Sequence, residues 1–139
     1  MGDRGTIAVS SRIEGDGKEA VFLYSHWGGS ELPETLRMAL SRSEERWCDQ
    51  GYLSRVIFEE MIDEFGELTG FGITTRLDCT EYPIIVVRTD KKIVYSITEQ
   101  EYEDDGIHIP DGCDPISINE YVVQARTWDN LLAPLGASS

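Results

Sequence analysis

Long apolar runs, cations and cysteines are all scarce in this chain, and each shortage removes a class of function. The longest uninterrupted apolar stretch is five residues, 20–24. A membrane-spanning helix needs about twenty. Residues 1–6 (MGDRGT) lack the apolar stretch of a secretory leader and run directly into a strand pattern, so the expected location is cytoplasmic. Three cysteines, Cys48, Cys79 and Cys113, are an odd number with no C-x-x-C pair. They suggest neither a disulfide framework nor a zinc knuckle, and buried reduced thiols are expected.

Cations number 12 against 26 Asp and Glu, a formal charge of −14. Proteins that read nucleic-acid phosphates gain affinity through clustered Lys and Arg, so direct nucleic-acid binding is excluded as the expected function. Catalytic signatures are missing as well. Gly28-Gly29-Ser30 does not make the G-x-S-x-G elbow. A cysteine nucleophile needs a positive surrounding that this chain does not offer. No catalytic residue, metal site or cofactor is assigned. Glu101, Glu103, Asp105 and Gly106 imitate the start of a calcium loop, but its twelfth position is Gly112 rather than Glu. The pattern fails at its bidentate ligand.

What is present is enough to fold. With 40% hydrophobic and 27% charged residues over 139 positions, the chain reads as one domain, 1–139, exposing about 7,200 Å² when folded. Residues 6–10 and 20–25 are β-rich and separated by Gly15-Asp16-Gly17, which predicts a hairpin. Ser30 is placed to cap a helix carrying Leu32, Leu36, Ala39 and Leu40 on one face, with Pro33 in its first turn. Asp49 is placed to cap a second helix over 52–65, ended by Gly66, with Leu53, Val56, Ile57, Met61 and Phe65 in its stripe. Residues 71–77, 84–89 and 93–98 read as strands, the last two as a hairpin. Residues 99–116 read as a long acidic loop, 117–126 as a short helix or an edge strand, and 133–139 as a flexible tail. The expected architecture is α+β: a mostly antiparallel sheet of about five strands with two helices on one face.

Two regions stand out as candidate sites. The glycine pair of His26, Trp27, Gly28, Gly29 and Ser30 lies between a strand and a helix start, where unpaired backbone N–H groups take an anion. Arg76, or Arg4, is the candidate countercharge for a nucleotide or carboxylate bound there. The second region is acidic: Glu59, Glu60, Asp63, Glu64 and Glu67 around the second helix, with Glu99, Glu101, Glu103, Asp104 and Asp105 further on. Gathered on one surface, they would steer a basic protein partner into contact as DNA phosphate does. Three Lys against nine Arg also fits a different reading, adaptation to high salt.

The segments 1–4 (MGDR), 24–33 (YSHWGGSELP), 52–58 (YLSRVIF), 70–76 (GFGITTR) and 82–87 (YPIIVV) resemble a family of small proteins of bacteriophages and prophages. That family has no assigned activity, so the resemblance implies a phage setting and no mechanism. It extends to about residue 98. The acidic binding protein expected from the charge would then be a phage accessory or a factor that inhibits host defence.

Overall fold

In the computed structural model, residues 3–65, 70–77 and 80–134 are described, apart from the side chains of Glu64 and Phe65. The chain exposes 7112 Å², close to the value expected for one domain. Six strands form one sheet: β1 (Gly5–Ser10), β2 (Val21–Ser25), β3 (Phe71–Thr74), β4 (Ile84–Arg88), β5 (Ile93–Ile97) and β6 (Ile116–Ser117), in the order β3-β2-β1-β4-β5-β6. The β1–β2 hairpin forms with Ile7 opposite Leu23, and the β4–β5 hairpin with Val87 opposite Val94. β1 and β4 run parallel, Ile7 opposite Ile85, which makes the sheet mixed.

The two parallel strands are buried along their whole length because both faces of the sheet are covered. By the two-residue period of a strand, Ile7, Val9, Leu23, Ile85, Val87 and Val94 face one side. There they meet α1 (Leu32–Ser41), α2 (Gln50–Phe65) and the single turn α4 (Ile118–Tyr121). Ala8, Phe22, Ile84, Val86, Tyr95 and Ile97 face the other side and meet Tyr102 of α3 (Glu99–Asp105) and Ile107. Two expectations are corrected here. Helices cover both faces rather than one, and the acidic stretch begins as a helix rather than a loop.

Local chemistry explains most of the ends. Asp49 accepts the Tyr52 N–H at 3.1 Å and starts α2 as anticipated. α1 starts differently. Its cap position is Glu31, with no side-chain hydrogen bond, and Ser30 lies in the preceding 3-10 turn, where its hydroxyl turns to Asp3. α3 is held by a capping box: Thr98 Oγ1 accepts the Glu101 N–H at 3.0 Å and Glu101 accepts the Thr98 N–H at 2.8 Å. It ends at Gly106, whose φ of 70° suits glycine, and a Cβ there would overlap the backbone of Gly17.

Over 117–126 the helix alternative forms, as a single turn, and 121–123 make no strand; the edge strand lies just before it. Two residues pair with β5 as β6, then Ser117 accepts the Glu120 N–H at 3.2 Å and begins α4. Arg126 closes the C-terminal segment. It is 1% exposed and donates to the carbonyls of Glu120, Tyr121, Asn130 and Ala133 at 2.6–2.9 Å. Gly66, Glu67, Cys79 and 135–139 of the expected tail lie outside the described residues.

Candidate functional site

β2 ends in the glycine corner, and the fold fills that corner with a carboxylate of its own. Ser25 Oγ accepts the N–H groups of Trp27 and Gly28 at 3.3 and 2.9 Å. The Gly29 N–H reaches the Asp3 carbonyl at 2.6 Å, and the Glu31 N–H reaches the Gly28 carbonyl at 3.0 Å. The Asp3 carboxylate accepts the Ser30 N–H at 3.2 Å, the Ser30 hydroxyl at 2.9 Å and the Tyr82 hydroxyl at 2.6 Å. Every N–H from residue 27 to 31 therefore has an acceptor inside the chain. Burial pushes the Asp3 carboxyl upward, but the hydrogen bonds from Tyr82 and Ser30 outweigh it and hold the group below its ordinary range. Donating to Asp3 pushes the Tyr82 hydroxyl up.

His26, Trp27, Gly28, Gly29 and Ser30 are together, as the strand-to-helix position requires, but Arg76 is not with them. β3 runs antiparallel to β2 with Phe71 opposite Ser25 and Thr74 opposite Phe22, so Arg76 lies beyond the far end of the pair. It forms ion pairs there with Asp16 at 3.4 Å and Glu19 at 3.8 Å. Arg4 lies over the Tyr24 ring at 4.4 Å. The residues that complete the corner, Asp3, Tyr82 and Trp128, were not singled out as corner residues in the sequence. Nothing local marks them, because Tyr82 is 79 positions from Asp3 and Trp128 is 99 positions from Gly29.

The acidic residues divide between the two faces of the sheet. α2 packs on one face and α3 on the other, so the condition of one shared surface is not met. On α2 two of the carboxylates, Glu59 and Glu60, are paired with arginines. Glu59 lies 3.3 Å from Arg55 and 3.6 Å from Arg42, and Glu60, only 8% exposed, lies 2.9 Å from Arg42. Asp63 is exposed.

The α3 layer is different. Between 99 and 114 there are seven carboxylates and no Lys or Arg. Glu99, Glu103, Asp104, Asp105, Asp111 and Asp114 are exposed, while Glu101 is partly covered and occupied as the cap partner of Thr98. Lys18 approaches Glu103 at 3.9 Å, and Gln100 donates to Asp104 at 3.1 Å. An open hollow of about 440 Å³ beside α3 is lined by Glu101, Asp105, His108, Ile109, Pro110 and Asp111. Among the described residues, no three His, Cys, Asp or Glu side chains converge as a metal ion would require.

Cys48 is exposed and Cys113 half-buried, so the expectation of buried thiols fails at the first and holds only in part at the second. Burial, with Glu101 and Asp114 nearby, pushes the Cys113 thiol up and away from the reactive thiolate. No helix among the described residues is long and apolar enough to cross a membrane. Comparison with protein-family models, curated proteins and solved structures finds no match to this chain.

Proposed function

We propose that the chain is a non-enzymatic binding protein whose α3 layer docks on a basic protein surface, in the manner of a nucleic-acid mimic. The observation that carries this reading is the contrast between the two acidic helices. On α2, Glu59 and Glu60 are tied to Arg42 and Arg55, whereas among the described residues six of the seven carboxylates of 99–114 are exposed and the group has one long ion pair, from Glu103 to Lys18. A concentrated and uncompensated negative field accelerates encounter with a cationic partner and repels nucleic acid. The resemblance to phage and prophage proteins supports an accessory or host-defence-inhibiting setting for such a factor. The alternative, a nucleotide or carboxylate bound at the His26–Ser30 corner, is weakened because Asp3 and Ser25 already accept the N–H groups it would use.

The test is capture from a cell lysate at low ionic strength, using the unaltered chain, a Glu103→Gln/Asp104→Asn/Asp105→Asn variant and a Glu59→Gln/Asp63→Asn variant. The unaltered chain and the α2 variant retain the same basic protein, which raised salt releases, and the α3 variant does not. Recovery of no basic protein at low salt, or equal recovery by all three, contradicts the proposal.

A further inference from the structure

An aromatic strip continues from α3 along β2, on the same face of the sheet. Phe22 meets Tyr102 of α3 edge-on, with ring centroids 5.7 Å apart. Two residues on, by strand alternation, comes Tyr24, and two further His26, whose ring lies 5.5 Å from that of Tyr24. Trp27 follows, 6.1 Å from His26. The neighbouring chain makes room for these rings with glycines. A Cβ on Gly70 would come within 2.5 Å of the Trp27 indole nitrogen, and one on Gly72 would overlap the Tyr24 hydroxyl.

The strip already holds one guanidinium, that of Arg4 over Tyr24 at 4.4 Å. Its last ring is open. Trp27 is 61% exposed, the most exposed large hydrophobic side chain among the described residues. Indole is the aromatic system that attracts a cation most strongly, and a planar guanidinium stacks on it where a compact ammonium does not.

We infer that Trp27 is a stacking anchor for an arginine of the partner, so that the protein recognises arginine-rich rather than merely basic surfaces. This rests on the reading of α3 as the docking layer and adds a residue-level preference to it. Charge alone attracts Lys and Arg equally, whereas the tryptophan distinguishes them.

The test is calorimetric titration with octa-arginine and octa-lysine peptides at low ionic strength, into the unaltered chain, Trp27→Ala and Trp27→Tyr. The unaltered chain is expected to favour octa-arginine by about two- to fivefold, the worth of one exposed cation–π contact. Trp27→Ala removes that preference while retaining octa-lysine binding, and Trp27→Tyr keeps part of it. Equal affinity of the unaltered chain for the two peptides overturns the inference and leaves the docking layer standing. So does an arginine preference that survives in Trp27→Ala. Failure of both peptides to bind overturns the docking layer itself and the anchor with it.

Discussion

The indole of Trp128 lies flat on the ring of Tyr82, 4.9 Å between centroids and 11° from parallel, and its N–H reaches the Gly29 carbonyl at 2.9 Å. One side chain from the C-terminal segment therefore ties down both the phenol that holds Asp3 and the glycine turn that Asp3 organises. Trp128→Ala loses the stack, worth about 0.5–1.5 kcal/mol, together with a hydrogen bond of about 1 kcal/mol. The expected total is about 2 kcal/mol in urea unfolding. Trp128→Phe retains the ring and is expected to cost about half as much.

Arg88 and Asp90 form the most enclosed ion pair among the described residues, bonded at 2.9 and 2.7 Å with the Arg88 side chain 5% exposed. Arg88 also donates to Tyr95, whose hydroxyl donates to the Ile107 carbonyl beyond α3. The Arg88 guanidinium holds the Asp90 carboxyl below its ordinary value, against the opposing effect of burial. Its contribution is therefore complete above the unfolded-state value and fades as pH falls through the lower folded-state value. Asp90→Asn is expected to cost about 1–2 kcal/mol at pH 7. That difference disappears in acid, which unfolding curves at pH 7 and at a pH below the folded-state value will read. A difference that persists in acid would rule out the charge as its source.

Arg126 places one planar fork against four carbonyls. Lysine keeps the charge but gathers its donors at a point and cannot span those acceptors. Arg126→Lys is expected to cost about 2–4 kcal/mol and to speed amide exchange over 122–134 more than in β1 or β4.

The alternative of salt adaptation separates from partner docking in dilute buffer. At about 10 mM salt the screening length is about 30 Å, and like charges across the surface repel with little shielding. A chain that needs salt to fold will have lost its cooperative urea transition there. The paired Glu59 and Glu60 of α2 and a core buried on both sides of the sheet lead us to expect that the transition remains, with a lowered midpoint.

The strands were legible wherever apolar residues alternate or run together, as in the Ile84–Arg88 strand, and the two long helices wherever Leu36 and Leu40, or Leu53 and Ile57, recur at helical spacing. α3 escaped because Tyr102 is its only buried residue, which leaves periodicity nothing to sum. Its one sequence signal was the Thr98-x-x-Glu101 capping box. The parallel pairing of β1 with β4 depends on contacts some 80 positions apart, as Ile7 with Ile85 shows, which no local pattern encodes. The same distance hid the role of Asp3. The glycine corner had the composition of an anion site, and its anion was the chain's own carboxylate.

The most direct test of the docking layer is amide and indole chemical-shift mapping of the folded chain during titration with octa-arginine. The expected shifts concentrate on 99–114 and on the Trp27 indole, and they vanish when salt is raised. Shifts centred instead on Glu59 and Asp63 of α2, or spread evenly over every exposed carboxylate, would contradict the account.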